Sequence, residues 1–160
     1  MSEKLGGLLR EGRSYLIVEN GENQSFAMLD GLAKDGRDTL CLSRKPPDRL
    51  PPSWSADPEG VIWLTSAVGP GMMDPQNLGI LTERIQQFLQ HGERRMVLLD
   101  GIEYLTVMND FDSVLRFLYR LSEMAYQYKG VLLVTVLPEA FEDRQMALLR
   151  REMDILEPRS

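Results

Sequence analysis

"RRMVLLDGIEYL", residues 94–105, is the stretch whose reading decides the fold. Four apolar residues, Met96 to Leu99, run without interruption into Asp100, and Glu103 follows three positions later. A run with no polar alternation marks a strand covered on both faces, as in a parallel sheet. Four other runs read the same way: "SYLIVEN" (14–20), "TLCLS" (39–43), "VIWLTS" (61–66) and "VLLVTVL" (131–137).

Between these strands lie amphipathic stretches with the 3.6-residue period of helices. "NQSFAMLDGLAKDG" (23–36) spaces Phe26, Leu29 and Leu32 along one face, with Asn23 or Ser25 as cap and Gly36 as stop. "DPQNLGILTERIQQFLQHG" (74–92) does the same with Leu78, Leu81 and Ile85, opening on Asp74-Pro75 and closing at Gly92. "DFDSVLRFLYRLSEMAYQYKG" (110–130) gives the longest helix, with Asp110 or Asp112 as cap, Phe111 as a staple and Gly130 as its end. "EDRQMALLRREMDILE" (142–157) makes a last, strongly charged helix. Strand–helix alternation implies βαβ units and hence an α/β fold: a doubly wound, mostly parallel five-stranded sheet with helices on both faces. One such domain spans 13–157 after a tail of residues 1–12. "SRKPPDRLPPSWSADPEG" (43–60) breaks the pattern with five prolines and no helical period, and is expected to be a surface excursion.

Bulk chemistry narrows the function classes. A net charge of −6 and a pI near 4.9 argue against nucleic acid or anionic lipid as the main partner, since both require a basic footprint. No segment approaches the ~20 apolar residues of a membrane span, so a cytoplasmic location is expected. The single cysteine, Cys41, sits in an apolar run and reads as a buried core thiol. The single histidine, His91, sits at a helix end with no second His or Cys beside it, so no metal site is expected.

Asp100 has the position of the Walker-B acid of an ATPase, a carboxylate delivered by a buried strand to a metal-bound nucleotide. Such an enzyme also needs a phosphate cradle after its first strand, of the form G-x-x-x-x-G-K-[ST]. The corresponding stretch is "IVENGENQSFAML" (17–29), with one glycine, no lysine, and Glu19 and Glu22 in the loop. Only Ser25 resembles the end of the motif, and two carboxylates facing a triphosphate repel it. Glu19 and Asn20 end the first strand on the same edge as Asp100, but no catalytic residue is assigned to any of them. A phosphoacceptor domain would need a lysine after the last strand, where this chain has Leu137-Pro138.

Taken in order, "SYLIVEN", "LCLSRKPPDRL", "VIWLTS", "VLLDGIEYLTVMNDFDSVLRFLYRL" and "EDRQMALLRREMDIL" resemble the archaeal family called domain of unknown function 835, over roughly residues 13–157. The resemblance implies a signalling or regulatory context and no established reaction. The family is itself similar to RecA/KaiC-like ATPase cores with the phosphate loop lost, which implies a last strand lying between the first strand and the Asp100 strand.

The expected role is therefore a non-catalytic interaction module, working through a protein partner or a small ligand. Ligand-binding candidates are Glu19, Asn20, Ser25, Arg44, Asp100 and Glu103. Interaction candidates are Trp54 among the prolines and the pair Met72-Met73 in "GPGMMDP". Arg44 is expected to pair with Asp100 or Glu19, and Trp63 to lie in the core. The alternatives are a nucleotide-binding or hydrolysing enzyme using Asp100 with a magnesium nucleotide as cofactor, and a homodimer formed through the charged terminal helix.

Overall fold

A computed structural model describes residues 9–19, 37–55 and 57–156. Its strands are β1 (Ser14–Val18), β2 (Thr39–Ser43), β3 (Val61–Leu64), β4 (Met72–Met73), β5 (Met96–Asp100), β6 (Val131–Val136) and β7 (Asp154–Leu156). Its helices are α1 (Pro52–Ser55), α2 (Leu78–Gln90), α3 (Ile102–Met108), α4 (Phe111–Gln127) and α5 (Asp143–Glu152). The strands form one sheet in the order β4-β3-β2-β5-β6-β1-β7, and every pairing is parallel. Among the described residues the sheet thus has seven strands, not five. The five expected strands are all present, and β6 does lie between β1 and β5.

The apolar runs are continuous because each strand feeds two cores. Successive side chains leave a strand on opposite faces. Leu16 and Val18 of β1, Val97 and Leu99 of β5, and Leu132, Val134 and Val136 of β6 pack on one face, against α2, α3, α4 and α5. Tyr15 and Ile17, Met96 and Leu98, and Val131 and Leu133 pack on the other, with Cys41, Leu50 and Trp54. Among the described residues the second face is covered mainly by Leu9, Leu50 and the short α1. The helix expected over 23–36 lies outside the described residues.

The helix on 110–130 holds as read: Val114, Leu115, Phe117, Leu118, Leu121, Met124 and Ala125 are buried on one side of α4. Full burial of a Leu or Phe contributes roughly 1.5–3 kcal/mol, so this face anchors the layer. Asp110 caps it, accepting from the Ser113 N–H at 2.7 Å. Phe111 meets Phe141 edge to face, with centroids 6.0 Å apart. The helix closes in a Schellman turn in which Lys129, not glycine, takes the left-handed conformation (φ 54°). The Gly130 N–H bonds to the Ala125 carbonyl at 2.9 Å. Gly130 is required for a different reason: a Cβ there would lie 2.6 Å from Leu89 Cδ2 and 3.1 Å from the Arg95 carbonyl.

Three boundaries differ from the sequence reading. Asn77, not Asp74, caps α2, accepting from the Ile80 N–H at 3.1 Å, while Asp74 forms an Asx turn to the Gln76 N–H. The terminal helix stops at Glu152, and Asp154–Leu156 cross to pair with β1. Glu142 and Gln145 form a capping box at its start. The segment 43–60 is not bare loop: it holds a 3₁₀ turn at Pro47–Arg49, then α1, then a second 3₁₀ turn at Pro58–Gly60.

Candidate functional site

In an open α/β sheet the crevice that takes a ligand lies at the carboxyl ends of adjacent strands whose connections run in opposite directions. Here β2 leads outward to β3 while β5 leads the other way to β6, so the crevice falls between Ser43 and Asp100, which are paired in register. Two residues on from Cys41, Leu98 and Leu133, the residues Ser43, Asp100 and Thr135 continue the same sheet face as its polar end.

Asp100 is 7% exposed, and both of its carboxyl oxygens are engaged. The Ser43 hydroxyl donates to Oδ2 at 2.7 Å, and the Thr135 hydroxyl donates to Oδ1 at 2.8 Å. Ser43 Oγ in turn accepts the Lys45 N–H at 3.0 Å, so the acid is tied into the turn that leaves β2. Three adjacent strands are stitched together by one carboxyl group.

Arg44 was expected to be its partner and is not. Among the described residues Arg44 makes no ion pair. Its side-chain stem lies where a Cβ on Gly101 would come within 3.8 Å, and its guanidinium carbon is 6.0 Å from the centroid of the Tyr104 ring. Trp63, expected in the core, is half-buried and belongs to neither core cluster; its indole N–H donates to the Arg44 carbonyl at 3.0 Å. Gly101 itself takes φ 106°, a left-handed value that an L side chain resists, and this turn launches α3 directly from the strand end. Arg44 and Tyr104 thereby meet beside Gly101, where α3 begins.

Glu103, on the first turn of α3, is half-buried rather than a solvated surface acid. Its Oε1 accepts the Leu137 N–H at 2.7 Å. Burial pushes its carboxyl above the usual carboxylate range, and the charges of Asp100 and Glu19 push the same way, against the Leu137 bond. Glu19 stands just past β1, where its backbone N–H continues the ladder to the Val136 carbonyl at 2.8 Å. Asn20 and Ser25 lie outside the described residues.

The interaction candidates fare differently. Trp54 is not an exposed anchor: it is 2% exposed, packed in the second core, because the prolines of 43–60 turn α1 inward onto the sheet. Met72 and Met73 are half-buried and form the edge strand β4, with Met73 against the main core, so they present no loose methionine surface. Cys41 is buried, as expected; burial first, then Asp100, push its thiol well above the ordinary value of 9.0, against a smaller effect of Lys45. Sequence reasoning missed Ser43, Thr135 and Tyr104. A cleft of about 530 Å³ exists at the opposite, amino-terminal edge, but its arginines are already engaged: Arg37 pairs with Glu11 at 2.6 Å, Arg95 pairs with Asp38 at 3.5 Å and donates to the Phe88 carbonyl at 3.0 Å, and Arg84 donates to the Glu59 carbonyl at 3.4 Å.

Among the described residues no cluster of His, Cys, Asp and Glu is disposed to hold a metal ion, and no helix is long and apolar enough to cross a membrane. The pattern of the family described as "Protein of unknown function (DUF835)" matches residues 15–153. Among solved structures, a protein of Pyrococcus horikoshii OT3 is similar over 99% of this chain and 88% of its own, at 14% identity and a TM-score of 0.67. At that identity the likeness speaks for the fold alone. A chain in a structure of Drosophila ORC bound to DNA aligns over 99% of this chain and 87% of its own, at 13% identity and a TM-score of 0.49, too low to carry an argument. No curated protein matches the chain.

Proposed function

From the premise that the chain belongs to the DUF835 family, we propose that it is a non-catalytic α/β regulatory module, descended from a RecA-like nucleotide-binding core and working by contact with a protein partner. One observation carries the reading. The acid at the Walker-B position is 7% exposed, and its two oxygens accept the Ser43 and Thr135 hydroxyls inside the sheet. A magnesium nucleotide would have to reach this buried carboxyl group, directly or through a water, or draw it out of the sheet. Drawing it out would break two buried hydrogen bonds and leave two hydroxyls to find new acceptors. The sequence supports the same reading, since "ENGENQS" (19–25) offers no ammonium group to a polyphosphate.

The strand-end edge, with Glu19, Arg44 and Glu103, is the surface on which such a partner or a small ligand would act. The competing reading is a nucleotide-binding enzyme that uses Asp100, and calorimetric titration with Mg-ATP and Mg-GTP separates the two. No heat of binding is expected at millimolar nucleotide. Binding at millimolar or tighter affinity that disappears in Asp100→Asn would overturn the proposal.

A further inference from the structure

A second cleft, of about 450 Å³, opens where the chain enters β1 and where β7 begins beside it. That volume is enough for a small ligand or one long side chain. One wall belongs to helix α4. Tyr119, Ser122, Glu123 and Tyr126 stand at i, i+3, i+4 and i+7, so they form a single stripe along the helix. The two tyrosines are two turns apart, about 10 Å along the axis, and small Ser122 leaves the space between them open. Tyr126 is 71% exposed, so its ring is available to a guest. The other wall is Arg13 and Ser14 at the entry to β1, with Glu152 and Asp154 at the start of β7. The Gly12 N–H donates to the Gly130 carbonyl at 2.6 Å, which fixes that entry against the end of α4.

Charge in this cleft is unbalanced. Three carboxylates, Glu123, Glu152 and Asp154, line it against one arginine, Arg13. Among the described residues Arg13, Glu152 and Asp154 make no ion pair, and Glu123 has only Arg120, at 3.8 Å and well exposed, a contact of little worth in water. The Ser122 hydroxyl oxygen is shut off from solvent and makes no hydrogen bond. A guest carrying N–H groups would supply its missing partner once the serine turned to another rotamer. A metal ion is not the guest, because among the described residues no three acids stand close enough to ligate one. Tyrosine faces instead attract an organic cation. We propose that the cleft binds a guanidinium or alkylammonium group, held between Tyr119 and Tyr126 with Glu123, Glu152 and Asp154 around it. The chain's net charge of −6 draws such a group in. The cleft lies at the amino-terminal edge of the sheet, away from Asp100, and its function is separate from that of the strand-end crevice.

The test is an NMR titration of the full chain with N-acetyl-arginine methylamide and N-acetyl-lysine methylamide, with the citrulline methylamide as neutral control. The two cations should bind at millimolar affinity and shift the amides of residues 119–126 and 152–154; citrulline should not. Methylguanidinium and butylammonium carry the same head groups without a backbone. Tighter binding of the amides assigns the cation to a partner protein's side chain, and equal binding assigns it to a free amine. Tyr126→Ala should weaken binding by about 2- to 30-fold, the range of a cation–π contact, while Tyr126→Phe, which keeps the ring, should retain most of it. Asp154→Asn should weaken binding at low salt and matter little at about 1 M, where screening acts within about 3 Å. Both positions are exposed, and unchanged urea midpoints would verify that the variants fold. Absence of amide shifts with either cation, equal binding of citrulline, unchanged affinity in Tyr126→Ala, or displacement of the probe by an equimolar divalent metal ion would overturn the proposal.

Discussion

Thr135→Val tests how firmly Asp100 is fixed. The substitution keeps the branched shape and the buried place on β6 but removes the hydroxyl that donates to Oδ1 at 2.8 Å. What remains is a carboxyl oxygen inside the sheet with no donor, which costs about 1–3 kcal/mol. For a domain of this size each kcal/mol lowers Tm by about 2–4 °C, so a fall of about 2–12 °C is expected. Urea unfolding should show a lower midpoint with an unchanged slope, the sign of lost stability rather than an altered denatured state. Ser43→Ala removes the other donor and also the acceptor of the Lys45 N–H. Because both act on one carboxyl group, the double variant should depart from additivity by about 0.5–3 kcal/mol. A loss below about 0.5 kcal/mol for Thr135→Val would place it among ordinary surface changes. Asp100 would then be free to turn, and the case against a metal-bound nucleotide would lose its foundation.

Two further expectations follow from the second sheet face. Trp54→Ala, which empties a site 2% exposed, should destabilise the chain by about 3–5 kcal/mol in the same urea titration; unchanged stability would return Trp54 to the surface as an interface residue. Cys41 should resist alkylation until the chain unfolds, since its buried thiol stays protonated in the folded state. Its raised range means the unfolded chain ionises first, so stability should fall as pH climbs past the ordinary thiol value of 9.0. Cys41→Ala should show a shallower decline over the same interval, and equal slopes would remove Cys41 from the account.

The inner strands were legible because burial on both faces leaves no polar residue to break the run, as "MVLL" and "VLLV" show. Helix α4 was legible because seven inward residues repeat at the helical period. Helix α3 was not: Ile102 and Leu105 give one turn of periodicity, too little to separate from the strand before it. Strands β4 and β7, of two and three residues, fall below any period at all. Asp74 and Asn77 are both good caps by residue type, and only the path of the chain after Pro75 chooses between them. The position of Asp100 was readable, but its partners were not. Ser43 and Thr135 stand 57 and 35 positions away, and only the strand order brings them to it. Arg44 was the plausible charge partner by proximity in the sheet; geometry sent it over an aromatic ring instead.

The two shortest strands have a significance out of proportion to their length. A long unpaired strand edge offers a row of free N–H and C=O groups on which other chains template and aggregate. Met72–Met73 and Asp154–Leu156 occupy those outer positions, so the hydrophobic ribbons behind them are never the terminus of the sheet. Loss of the last of these strands would leave "SYLIV" (14–18) as a bare five-residue margin with no proline and no charge. The modest tail that completes the sheet also keeps neighbouring copies from zipping onto it.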